Sequence, residues 1–66
     1  MARVVVKVLP GGKKVSVEAS SVWELLDRLG FDDESYVVLR NGKPLLPSDR
    51  LEDGEEIVVV RVLSGG

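Results

Sequence analysis

IVVVRV, residues 57–62, carries apolar side chains at both parities: Ile57 and Val59 on one side of the strand, Val58, Val60 and Val62 on the other. A strand with one wet face alternates apolar and polar, whereas a continuous apolar run is typical of adjacent parallel strands at the centre of a sheet. Residues 3–9, RVVVKVL, have the same character, with Val4, Val6 and Val8 at one parity and Val5 at the other. The two runs read as central strands, one near each end of the chain.

Working outward from them, Pro10-Gly11-Gly12 supplies a turn in which glycine takes positive φ without steric cost, and KVSVE (14–18) alternates as a half-buried strand. Together with residues 3–9 it predicts a first hairpin. Ser21 followed three residues later by Glu24 is a capping box, Glu24 and Arg28 form an i,i+4 pair, and Gly30 suits a left-handed cap, so a helix is predicted over 22–29. Val22, Leu25, Leu26 and Leu29 make one apolar stripe on it, with Trp23 expected to pack at the stripe's edge. YVVLR (36–40) followed by Asn41-Gly42 is the strongest short-range hairpin signal in the chain. Its return strand, 43–46, contains Pro44, which cannot donate to a ladder and belongs on an edge.

The expected fold is α+β: a mixed sheet of four to five strands with one helix packed on one face, in the order ββαββ. One eight-residue helix covers only one side of such a sheet. It should take Val4, Val6, Val8, Val15, Val17, Val38, Ile57 and Val59. Val5, Val37, Leu39, Val58, Val60 and Val62 are left on the other face, bordered by Arg3 and Lys7. Valine favours strands, and scattered surface apolar residues need no explanation. Because these six would be contiguous across neighbouring strands, a partner-docking surface is the better reading.

Composition narrows the function. Sixty-six residues make one domain with a marginal core. Without cysteine there is neither a disulfide nor thiolate chemistry, and without histidine the residue best suited to proton transfer near neutrality is missing. An enzyme with its own active site is disfavoured. Nine Lys/Arg against eleven Asp/Glu give a net charge of −2 with no block of like charge, which argues against direct nucleic-acid binding. Lys7 interrupts the N-terminal apolar run, so neither a signal peptide nor a membrane span is indicated, and a soluble, cytoplasmic, monomeric protein is expected. GGKK (11–14) lacks the spacing of a phosphate loop, and Asp32, Asp33 and Glu34 lack that of a calcium loop. Lys7, Lys13, Lys14 and Lys43 read as solubilising charges.

The chain closes with Leu63-Ser64-Gly65-Gly66. Glycines without Cβ can thread a narrow cleft and leave the last carbonyl open to attack once the carboxylate has been activated by a partner. The expected organisation is a domain over 1–63 and a flexible tail over 64–66, with Leu63 and Ser64 as the spacer that projects Gly65 and Gly66. A frayed terminus is the plainer alternative.

The order hairpin, helix, hairpin, strand, the stretch VLRNGKPLLPSDRLEDGEEIVVVRVLSGG and the terminal diglycine resemble the ubiquitin-like β-grasp sulfur carriers and modifiers: small archaeal modifier proteins, ubiquitin-related modifiers, ThiS and MoaD. The match covers essentially the whole chain. Its most specific parts are Leu51-Glu52-Asp53-Gly54-Glu55-Glu56-Ile57, the Asn41-Gly42 hairpin and the diglycine. The resemblance implies that an activating enzyme of the E1/MoeB type uses ATP to adenylate the carboxylate of Gly66. It implies no cofactor bound by the chain itself. A sulfur donor then makes a thiocarboxylate for tRNA thiolation, thiamine or molybdopterin synthesis, or Gly66 is joined to a target lysine. ThiS chains commonly have a third glycine where this chain has Ser64, and MoaD chains tend to be longer; both departures lean towards a small archaeal modifier. The alternative reading is a non-conjugated β-grasp binding module from a larger protein.

Overall fold

The computed structural model describes residues 2–62. Five strands and one helix follow in the order β1 (Ala2–Leu9), β2 (Lys13–Ala19), α1 (Val22–Leu29), β3 (Tyr36–Arg40), β4 (Lys43–Pro44) and β5 (Glu56–Arg61). Counted strand by strand the order is ββαβββ: the return of the second hairpin, predicted at 43–46, is the fifth strand that the shorter notation ββαββ leaves out. Spatially the strands run β2-β1-β5-β3-β4, and β1 and β5 form the only parallel pair among the described residues. The two runs that are apolar at both parities are thus neighbours at the centre of a mixed sheet.

Helix α1 begins and ends where its local chemistry dictates. Ser21 is the N-cap in extended backbone, and its Oγ accepts the Glu24 N–H at 3.3 Å. The reciprocal half of the capping box differs from expectation. The Glu24 carboxylate accepts the Ser20 N–H at 2.7 Å and the Ser20 hydroxyl at 3.1 Å, one residue before the cap. The Ser20 backbone bond, then its hydroxyl, hold the Glu24 carboxyl below its usual range. At the other end Gly30 takes φ 74°, a left-handed conformation that costs glycine nothing, and the Phe31 N–H reaches back to the Leu26 carbonyl at 2.9 Å. Arg28 lies 3.9 Å from Glu24 in the expected i,i+4 pair.

The stripe Val22, Leu25 and Leu26 packs onto the inner sheet face, where Val4, Val6, Ile57 and Val59 are each fully buried. Val38, Ala2, Ala19 and Leu51 complete the core, and Val8, Val15, Val17, Leu29, Phe31, Tyr36 and Leu45 pack around it half-buried. Trp23 departs from expectation. One residue along from Val22, its side chain is 63% exposed rather than packed. Its backbone N–H is taken by the Pro47 carbonyl at 2.9 Å.

The return strand is also shorter than expected, two residues instead of four. Pro44 has no N–H to extend the ladder, and beyond it the chain is claimed by other bonds. The Leu45 N–H donates to the Val38 carbonyl at 2.8 Å, and the Leu46 N–H to the Asp49 carboxylate at 2.7 Å, which turns the chain off the sheet. It runs to the helix N-terminus, where the Val22 N–H bonds the Asp49 carbonyl and the Leu51 N–H the Ser20 carbonyl, both at 3.0 Å.

Arg40 secures the segment leading into β5. Its guanidinium takes both oxygens of Glu55, and Nη2 also donates to the Arg50 carbonyl at 2.7 Å. Burial raises the Glu55 pKa, but the Arg40 hydrogen bond, the Glu52 N–H and the Arg40 charge outweigh it, so the carboxyl is held below its usual range. Hydrogen bonding to Glu55 raises the Arg40 pKa in turn. The Gly54 N–H bonds the Arg3 carbonyl and the Val5 N–H bonds the Glu55 carbonyl, both at 2.9 Å, so this loop sets the β1–β5 register.

Candidate functional site

The sheet has no layer over its second face among the described residues, and the register arranges that face in rows. One row runs Lys14, Lys7, Val58, Leu39, Pro44 across all five strands. The next runs Leu9, Val60, Val37. A third, nearer the start of β1, holds Ser16, Val5 and Glu56. Val58, Val60, Leu39 and Val37 therefore form one block on β5 and β3. Val37 is exposed; Val58, Val60, Leu39 and Leu9 are half-buried.

Val62 follows the last residue of β5, 45% exposed, its N–H bonded to the Ser35 carbonyl at 2.7 Å. It lies at the parity of Val58 and Val60 and so extends the block along the strand. Val5, 40% exposed, stands apart from the block, among polar residues. Two apolar residues were missed in the sequence reading. Leu9 shares the parity of Val5 and Lys7, and Pro44 was seen only as an edge marker. Both join the block through pairings, Leu9 with Val60 and Pro44 with Leu39, that only the strand order supplies.

The face is divided electrostatically. Its β1–β2 half carries Lys7 and Lys14, the Arg3–Glu18 ion pair at 2.9 Å and the Lys14–Glu56 pair at 3.6 Å. All are solvent-exposed contacts of small energetic weight. Apart from Glu56 at the start of β5, the described residues of the β3–β5 half on this face are neutral. The block offers no nucleophile, base or metal-ligand set, and no group of three or more acidic ligands converges among the described residues. Shape and chemistry suit protein contact: an apolar centre with a charged rim on one side. Among the described residues no helix is long and apolar enough to cross a membrane. Leu63, Ser64, Gly65 and Gly66, and with them the domain boundary expected at 63/64, lie outside the described residues.

Comparison with known proteins gives the fold its place. A family model for small archaeal modifier protein 2 matches residues 2–63. An uncharacterized protein of Archaeoglobus fulgidus is 40% identical over 53 residues, which span 80% of this chain and 78% of that protein. Among solved structures, SAMP1 from Haloferax volcanii superposes with a TM-score of 0.74 at 22% identity, covering 98% of this chain and all of that one. The ubiquitin of Caldiarchaeum subterraneum gives 0.72 at 14%, with 98% of both chains covered. At such identities the two structures speak for the fold, which is the ubiquitin-like β-grasp. The match along nearly the whole chain speaks for the family: this protein belongs to the small archaeal modifier protein 2 family.

Proposed function

We propose that the chain is a ubiquitin-like modifier and sulfur carrier whose reactive group is the Gly66 carboxylate, activated by a partner enzyme. The observation that carries this reading is the continuity of the apolar block of β5 and β3 with the strand that leads to the diglycine. An activating enzyme docked on Val58, Val60, Leu39 and Val37 would hold the domain while the chain beyond Val62 enters its catalytic cleft.

In this reading the carboxylate of Gly66 attacks the α-phosphorus of ATP, pyrophosphate leaves, and an acyl-adenylate forms. Hydrosulfide released by the donor, or a lysine amine of a target protein, then attacks the acyl carbon, AMP departs and the nucleophile's proton is lost to solvent. The products are a thiocarboxylate or an isopeptide. The domain supplies recognition and position, and the partner supplies the chemistry. Glycine at 65 and 66 keeps the approach to the acyl carbon free of side chains.

The test is intact-mass measurement after incubation with ATP, an E1/MoeB-like enzyme and a sulfur donor. Exchange of one oxygen for sulfur, located at Gly66, supports carriage; the chain's mass added to lysines of other proteins supports conjugation. Neither product with an enzyme active on another modifier would leave the non-conjugated binding module. A variant extended by one residue past Gly66 should be inert in both reactions.

A further inference from the structure

The helix side of the molecule carries a second candidate surface. Trp23 is 63% exposed, in a residue type that is usually well covered. Beside it lies a groove of about 600 Å³, in which Trp23, Leu26 and Phe31 supply apolar wall and Glu24, Asp27, Asp32 and Asp33 supply carboxylates. No lysine or arginine lines it. Two of the carboxylates are occupied, Glu24 by Ser20 and by Arg28 at 3.9 Å, and Asp32 by the Ser35 N–H at 2.7 Å. The carboxylates of Asp27 and Asp33 make no hydrogen bond or ion pair with the described residues. Asp27 stands one helical turn from Trp23 on the same face of α1.

We propose that this groove is a docking site for a basic segment of a partner protein, with an arginine or lysine side chain laid against the Trp23 indole and neutralised by Asp27 and Asp33. Charge complementarity selects the occupant. Indole is the best aromatic platform for a cation, and a carboxylate adds a charge-assisted hydrogen bond. The same carboxylates repel nucleic acid and acidic peptides. The surface lies on the helix side of the sheet, whereas the apolar block lies on the opposite face.

Trp23 is the single tryptophan of the chain, so its emission reports on the groove. The probe is a capped glycine–arginine repeat peptide, with a glycine–glutamine peptide of equal length as control. A saturable change with the arginine peptide alone, weakened by added salt and by about tenfold or more in the Asp27→Asn/Asp33→Asn variant, is expected. For Trp23→Ala, amide shifts replace emission as the readout, and the same loss of affinity is expected in a chain whose circular dichroism is unchanged. No saturable change, an equal response to the glutamine peptide, or indifference to the double substitution overturns the proposal. So does emission that shifts with protein concentration alone, which assigns the groove to a second copy. Binding should survive deletion of Gly66, which separates this site from the activation reading.

Discussion

The two faces of one sheet are built from nearly the same residues and meet opposite fates. On β5, Ile57 and Val59 are fully buried beneath α1, while Val58 and Val60, alternating with them, remain half-exposed on the far side. Strand chemistry cannot separate these positions, since valine serves equally well at either parity. What separates them is the helix, whose single apolar stripe is wide enough for one face. The inner face is therefore where stability resides, and the outer face is apolar surface available for contact.

That contrast can be broken most sharply at Ile57. Ile57→Ala removes a fully buried side chain from the centre of the sheet and should cost about 2–5 kcal/mol, comparable to the ~3–5 kcal/mol that a core of this size supplies. Urea unfolding should find the variant largely unfolded at room temperature. A fully folded, cooperative variant would mean that the helix does not define the core.

Ser21→Ala tests the attachment of the helix rather than its buried stripe. Loss of the cap to the Glu24 N–H should cost about 1 kcal/mol, seen as a lower urea midpoint at unchanged slope.

The third prediction concerns pH. Glu55, Glu24 and Asp32 are all held below their ordinary pKa in the folded chain; for Asp32 the leading cause is hydrogen bonding to Ser35. A depressed carboxyl contributes stability that is fully present above its unfolded pKa and is lost as pH falls through the folded one. Stability should thus be level above about pH 5 and decline from roughly pH 4.3 downward. Unfolding measured across that range should show a shallower decline for Glu55→Gln. An identical slope would remove the Arg40–Glu55 pair from the account.

On the outer face the smallest effect on stability should accompany a large effect on activation. Val60→Ser should shift unfolding by no more than about 1 kcal/mol, yet slow ATP-dependent activation at Gly66 by about tenfold or more at limiting enzyme. If it destabilises as much as Ile57→Ala, the two faces are not distinct. If it is folded and activated normally, the docking surface lies elsewhere.

Much of this was legible because the determinants are local. The capping residues bracket α1 from Val22 to Leu29, as the spacing predicts, and Asn41-Gly42 places the second turn. The unpaired parity of the central strands marked Val58, Val60, Leu39 and Val37 as uncovered before any strand order was known. The misreadings came from hydrogen bonds whose partners the patterns alone do not rank, one distant in sequence and two close by. Trp23 was expected to pack at the edge of the stripe, but its side chain is 63% exposed, and its backbone N–H is taken by the Pro47 carbonyl, more than twenty residues away in sequence. Glu24 reaches Ser20 rather than the cap. β4 stops at Pro44 because Asp49 claims the Leu46 N–H.

Periodicity, caps and turn residues by themselves determined which segments become strands and helix, and which side chains share a face, because each of those is decided within a few residues of backbone. Tertiary structure decided which faces meet. The parallel register of β1 and β5 joins Leu9 to Val60 and leaves Val5 beside Glu56, and the packing of α1 turns one row of valines into core and the next into surface. Those outcomes depend on pairings between chain ends some fifty residues apart, which no local pattern encodes.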